Sequence, residues 1–238
     1  MPEAISPPYP ADLAWPQPFQ ATLESLSSRT LPRRSRVSAV GQLVTPTDQR
    51  RVVFQSMIEL HTALRLLADP SVETLIDQPP AIAYMRNGRQ HRHTFDFLAI
   101  LSSGERVAVA CKASMRAELK DLAGFYRSIA HQIPRSFATR IVIFTELSFF
   151  KADIYNAGLL HDCSRDPIGE ADAAVAACAG GLYGRTTLGA VVEATGLGGD
   201  AFRAAIRAIR DRALVPVEPG RWDYDTRVAP PANMEVAA

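Results

Sequence analysis

The chain has 238 residues, of which 47% are hydrophobic and 21% charged, enough for one large domain or two modest ones around a buried core. A formal net charge of +1 excludes a global basic bias, so any charge for binding nucleic acid must be local. Cys111, Cys163 and Cys178 are odd in number and lack a C-x-x-C pair. That argues against a disulfide framework or a zinc ribbon and fits a reducing compartment. No run approaches the ~18 apolar residues of a membrane span, and prolines occupy the place of a signal peptide's apolar run. A cytoplasmic protein with no membrane partner is expected.

Residues 1–36 read as a flexible arm. Prolines at 2, 7, 8, 10, 16, 18 and 32 oppose regular structure, and Trp15 with Phe19 could dock on a surface. The arm ends in Arg29, Arg33, Arg34 and Arg36, a cluster that reads as a solvated linker or as phosphate contacts. A helix is expected over 50–68. Val53, Met57, Leu60, Leu64 and Leu67 form its apolar stripe, Glu59 lies on its flank, and Asp69-Pro70 stops it.

Three strands are expected next. Ala81–Met85 is followed by Asn87-Gly88, a hairpin turn signal, and a long return strand runs over about 92–101. Ser102-Ser103-Gly104 closes a second hairpin, and Arg106–Lys112 forms the third strand. A helix over 116–132, with Leu119, Leu122, Tyr126 and Ile129 as its apolar row, ends at Pro134. Ile141–Phe144 reads as a strand buried on both faces.

After an alanine-rich connection, the texture changes at about residue 183. Short helices are expected over 187–194 and 200–213, the second capped by Asp200, with a turn over 195–199 between them. Leu214–Val217 and Trp222–Val228 then read as a wing, giving a helix-turn-helix with a wing. Arg203, Arg207 and Arg210 share one face of the second helix, where they would meet DNA or a protein partner. The tail from 229 to 238 reads as disordered.

The second hairpin carries the chemistry. A three-residue loop with Gly104 in the left-handed position pairs Leu101 with Glu105, which sets Asp96 opposite Ala110 and Thr94 opposite Lys112. Asp96, Ala110 and Lys112 then share a face, whereas a two-residue loop would turn Asp96 away. An acid and a lysine near a helical glutamate suit phosphodiester hydrolysis. Carboxylates hold magnesium, which polarises a phosphate, and the lysine stabilises developing charge. Asp96 and the Cys111 main-chain carbonyl are the natural metal ligands, with Glu59 as a third. A plainer reading has Glu59 solvated and Lys112 reaching to water. Asp96, between Phe95 and Phe97, resists it, because an unpaired carboxylate in an apolar strand costs several kcal/mol. His91-x-His93 lacks a third zinc ligand and reads as a surface pair.

Gln55-Ser56-x-x-Glu59, Gln78-Pro79, Thr94-Phe95-Asp96-Phe97-Leu98 and Val109-Ala110-Cys111-Lys112 together resemble the TnsA-type transposon-end endonucleases of the PD-(D/E)XK nuclease superfamily. The likeness covers roughly 50–146. It implies an α/β chain with a restriction-endonuclease-like αβββαβ core, followed by a small winged-helix-like domain. The division is then 1–36 arm, 37–165 nuclease-like domain, 166–182 connection, 183–228 winged-helix-like domain and 229–238 tail. The resemblance further implies a catalytic set of Glu59, Asp96 and Lys112 that uses Mg2+ (or Mn2+) to nick the 5′ strands at transposon ends. Its implied partners are DNA, an integrase-like transposase subunit and an AAA+ ATPase. The sequence departs from that pattern in two places. Phe95 stands for the usual proline, and Ala110 for the Glu or Gln that supplies a metal ligand. Two other readings follow: a catalytically impaired subunit retained for assembly, and a winged-helix DNA-binding regulator.

Overall fold

A computed structural model of the protein describes residues 22–28 and 39–231. It is a mixed α/β protein with several small sheets. The element that organises it is a four-stranded sheet ordered β3-β6-β7-β8, from Val72–Asp77 (β3), Phe97–Leu101 (β6), Arg106–Cys111 (β7) and Arg140–Phe144 (β8). The first three strands are antiparallel, and β8 joins β7 in parallel. Alternation along β6 and β7 sends side chains to two cores. Phe97, Ala99, Val107, Val109 and Cys111 pack with Val52, Ala63 and Leu75 on one face. Leu98, Ala108 and Ala110 pack with Tyr126 and Ile129 on the other.

The first face is covered by Met57–Leu67 (α1), and the second by Leu122–Ile129 (α3). The helix expected over 50–68 begins only at Met57. Arg51–Phe54 is a strand (β2) paired antiparallel with Gly41–Val44 (β1). Ser56 explains the boundary: it caps α1 in an extended conformation, and its hydroxyl accepts from the Glu59 amide. The helix expected over 116–132 is also divided, into Ser114–Leu119 (α2) and α3. Asp121 at φ 40° separates them and caps α3 through the Gly124 amide. Leu119 is consequently exposed rather than part of the apolar row.

The strand β3 was not anticipated. The segment expected to open the sheet, Ile82–Arg86 (β4), instead pairs among the described residues only with Arg89–His93 (β5), as a separate two-stranded ribbon turned by Asn87 and Gly88, both at positive φ. The long strand expected over 92–101 is therefore two strands with a break at 94–96. β8, expected to be buried on both faces, is an edge strand, half-buried beyond Arg140.

The loop reading holds from Leu101 to Phe97, but the pairs expected beyond it, Asp96 with Ala110 and Thr94 with Lys112, are not formed: the Asp96 amide bonds the Val109 carbonyl and the Lys112 amide the Phe144 carbonyl. Leu101 donates to the Glu105 carbonyl, Ile100 pairs with Arg106, and Phe97 pairs with Val109. Gly104 sits at φ +81°. Gly104→Ala is expected to destabilise the protein by about 1–2 kcal/mol in urea unfolding, because only glycine enters that conformation without strain. A neutral effect would contradict the loop.

Part of the arm is not free. Leu23 bridges to Arg50, Ser25 donates to both Asp77 oxygens (2.7 and 2.8 Å), and the Ser28 amide donates to the Gln78 carbonyl. Arg29, Arg33, Arg34 and Arg36, together with Trp15 and Phe19, lie outside the described residues.

The C-terminal core draws on Lys151–Ser164 (α4), Gly169–Gly180 (α5), Leu188–Thr195 (α6) and Gly198–Arg210 (α7). A three-stranded sheet backs these helices, ordered Val215–Pro216 (β10), Arg227–Ala229 (β11) and Thr186–Thr187 (β9). Residues 166–182, expected as a connection, thus contain α5, whose Ala171, Val175 and Ala179 are buried in this core. Its alanines make a close-packed helix rather than a linker. Thr187 caps α6, as its sequence suits, but α7 starts at Gly198, two residues before the Asp200 expected to cap it. Ala229, expected in the tail, is buried in β11, and 232–238 lie outside the described residues. Among the described residues no helix is long and apolar enough to cross a membrane.

Candidate active site

Asp96 lies where β6 begins, and the ladder changes character there. Its amide donates to the Val109 carbonyl (2.9 Å), and its carbonyl accepts from the Gln78 amide (2.9 Å). Its carboxylate Oδ2 accepts from the Cys111 amide (2.7 Å). The side chain thereby takes the place that a main-chain carbonyl would hold had Asp96 simply paired with Ala110. Phe95 and Phe97, which would share a face in a regular strand, fall into opposite cores. The chain is bulged at Asp96, and the bulge aims the half-buried carboxylate at the end of β7.

Lys112 follows β7 directly, its amide bonded to the Phe144 carbonyl (3.0 Å) and its side chain exposed. Glu146, just past β8, holds the segment after it. Its carboxylate accepts from the Ser114 hydroxyl and amide, which keep its carboxyl below the ordinary range.

Glu59 stands in the first turn of α1 and is 9% exposed, so the expectation of a solvated flank fails. One carboxylate oxygen accepts from the Gln55 amide (2.7 Å) and the other from the Ser56 hydroxyl (3.0 Å). Ser56-Met57-Ile58-Glu59 is thus a variant of the reciprocal helix cap, and the acid has a local structural role. Burial pushes its pKa up. The Gln55 amide, the Ser56 hydroxyl and Lys112 offset part of this, while the charge of Asp96 adds to it. Glu59, on a helix, therefore lies within electrostatic reach of both Asp96, at a strand start, and Lys112, at a strand end.

Two neutral neighbours register the same carboxylates. The Cys111 thiol, 3.3 Å from the Thr62 hydroxyl, is pushed up by burial and further by Asp96 and Glu59. The Tyr126 hydroxyl is pushed up by burial and by Asp96. The charge of Asp96 thus reaches groups on both faces of the sheet, and the residue itself lies between Phe95 in one core and Phe97 in the other. Ala110 is buried against Tyr126 and supplies no donor atom.

The donor set is two carboxylates plus the carbonyl of Cys111, whose amide is already tied to Asp96. Among the described residues no cluster of three or more His, Cys, Asp and Glu side chains could hold a metal ion. A closed zinc-type cage is not built here. Magnesium fits better, because it keeps several waters and is commonly bound by one or two carboxylates plus substrate phosphates. Divalent-ion affinity is expected to fall as pH is lowered through the raised Glu59 pKa, since proton and cation compete for one carboxylate. The fall should begin above the ordinary 4.5, and calorimetric titration across that range checks it. A flat profile would show that Glu59 is not a ligand.

Of the arginines expected to face DNA or a partner, Arg207 turns inward, while Arg203 and Arg210 are half-buried and also bond within the chain. Arg207 is 5% exposed and lies 2.7–2.8 Å from Asp172 Oδ1 on α5, and it donates to the Cys163 carbonyl (2.6 Å). Arg203 donates to the Asp162 carbonyl (2.7 Å), and Arg210 to the Ser164 hydroxyl (3.2 Å). All three bind the last turn of α4, where unpaired carbonyls and the helix dipole favour cations. They clamp α7 to α4.

The sequence reading also passed over Asp77. It is 1% exposed and accepts from Ser25 and from the Val53 amide (3.0 Å), joining the arm, β2 and β3. Its signal was an acid closing an apolar strand, the same feature that marked Asp96. His91 stacks on Tyr84, and His93 Nε2 bonds the Tyr126 hydroxyl (2.9 Å).

No protein-family model matches the sequence, and a search of curated proteins finds no significant relative.

Proposed function

We propose that the chain is a metal-dependent DNA endonuclease subunit of a heteromeric transposase, of the TnsA type, nicking the 5′ strands at transposon ends. The observation that carries this reading is that Glu59, in the first turn of α1, feels the charges of both Asp96 and Lys112, whose backbones flank the end of β7. The element order from α1 to β8 supports a restriction-endonuclease-like core. Three helices backed by β9–β11 support a winged-helix-like unit after it, which takes in α5 and the end of α4. Three free cysteines suit a reducing cytoplasm.

Glu59, Asp96 and the Cys111 carbonyl would hold Mg2+ (or Mn2+), which when bound supplies Lewis-acid polarisation of the phosphate and a more acidic water. Lys112, exposed beside them, neutralises charge developing on the phosphate oxygens. The Cys111 amide holds the Asp96 carboxylate in place at the end of β7. An integrase-like transposase subunit and an AAA+ ATPase are the proposed partners.

Nicking of transposon-end duplex with Mg2+ or Mn2+, with and without the transposase subunit, tests the reading. Nicked product should be lost with chelator and reduced at least about a hundredfold by Lys112→Ala. Unchanged activity in Lys112→Ala, or no nicking by the folded wild type with its partner, would overturn it.

A second reading, a nuclease-shaped subunit that does not cleave, is favoured by the two protein donors on Glu59 and by Ala110. It requires that the wild type bind no divalent ion at Asp96. The winged-helix regulator loses its sequence support, because Arg203, Arg207 and Arg210 are engaged within the chain.

A further inference from the structure

From the β4–β5 ribbon we infer a second functional surface: it binds duplex DNA by entering the major groove, and so delivers the phosphodiester backbone to Asp96. The inference uses the nuclease reading for its location, but its test does not require cleavage.

Charge is the first observation. From Gln78 to Phe95 the chain carries Arg86, Arg89, Arg92 and two histidines, and no Asp or Glu. The stretch from Leu122 to Thr145, on the side of the sheet that carries α3, adds Arg127, Arg135 and Arg140, again without an acid. In a chain of net charge +1 this is a concentrated local field, of the sort that draws a polyanion. Arg140 pairs with Glu105, but among the described residues Arg86, Arg89 and Arg92 have no carboxylate in ion-pairing range. All three are exposed.

Shape is the second. Among the described residues β4 and β5 pair with no other strand, and their register is Ala83–Arg92, Tyr84–His91, Met85–Gln90 and Arg86–Arg89. Two strands about 5 Å apart, with side chains, match a major groove roughly 12 Å wide that admits such a ribbon. The tip, Arg86 to Arg89, holds two of the three arginines.

Anchorage is the third. The ribbon is fixed at its root by Ile82 and His93 and along β4 by Met85 and Arg86, so its outer face is presented rather than loose. Ile82 is buried, His93 bonds the Tyr126 hydroxyl, and Arg86 lies over the Phe125 ring at 5.6 Å. The Gln132 amide accepts from the Met85 N–H (2.7 Å) and donates to the Met85 carbonyl (3.1 Å), as a strand partner would. His93 lies three residues before Asp96, and Tyr126 touches His93 while sensing the Asp96 charge. The ribbon is therefore mounted on the residues that border the candidate site.

The test is fluorescence anisotropy of a labelled duplex in chelator, across a salt series. Wild type should bind with an affinity that falls steeply with salt. Arg86→Ala/Arg89→Ala/Arg92→Ala should weaken binding about tenfold or more near physiological salt, and lower the log–log salt slope by about two to three. Arg89→Glu alone should weaken it in the same direction. Asp96→Asn should bind at least as tightly as wild type, because without a metal its carboxylate only repels the phosphates, so failure of cleavage and failure of the ribbon are told apart. Far-UV circular dichroism of the ribbon variants checks that these exposed substitutions leave the fold intact. Wild-type affinity and slope in the triple variant would overturn the inference. So would a wild type that binds no duplex, or one whose ribbon-dependent binding is to a protein partner alone.

Discussion

Asp96→Asn is expected to abolish metal-dependent nicking, lowering its rate by more than about a hundredfold while the protein stays folded. The asparagine can still accept from the Cys111 amide through its carbonyl oxygen, so the bulge at the start of β6 keeps its main tie. What disappears is the negative charge that faces Glu59 and Lys112. Two consequences separate this from simple unfolding. The Glu59 pKa should fall, because one of the influences raising it is gone. Duplex binding through the ribbon should persist. Nicking assays and anisotropy on the same preparation read both, and a variant that nicks like wild type removes Asp96 from the site.

Arg207→Ala is expected to cost about 3 kcal/mol in urea unfolding while leaving the salt dependence of DNA binding unchanged. The guanidinium is nearly inaccessible, and it satisfies Asp172 and the Cys163 carbonyl at once. Removing it strands a carbonyl in the C-terminal core, while Asp172 is exposed enough to recover water, which keeps the cost below that of a fully buried pair. Arg207→Lys keeps the charge but loses the forked geometry, and should recover only part of the stability. A loss of duplex affinity without loss of stability would restore this helix face to a binding role.

These residues also mark what a sequence can and cannot reveal. The hairpin register was legible, because Ser102-Ser103-Gly104 places a glycine where positive φ is needed, and pairing then propagates by counting. Asp96 was legible as a carboxylate set between two phenylalanines. Its mode of placement was not. The swap of a side-chain acceptor for a main-chain one, at the Cys111 amide, breaks the strand and sends Phe95 and Phe97 to opposite cores. Val53 fell on the α1 stripe by spacing alone, whereas the Ser56 cap decides where the helix begins. β3 was hidden by Glu73 and Asp77 among its apolar residues, beside a hairpin signal that was stronger. Helical spacing grouped Arg203, Arg207 and Arg210 correctly but could not say which way they face. Only the packing of α4 against α7 does. Arg86 and Arg89 flanked what read as an ordinary turn and Arg92 opened a strand, and the three became a surface only once β4 and β5 left the main sheet.

The central claim is that two carboxylates at the end of β7 share one divalent cation. Calorimetric titration of Mn2+ into the full-length protein tests it most directly. One ion should bind per chain in the wild type, with affinity lost in Asp96→Asn and weakened in Glu59→Gln. A folded wild type that takes up no ion, or an Asp96→Asn variant that binds as well as wild type, would contradict the account.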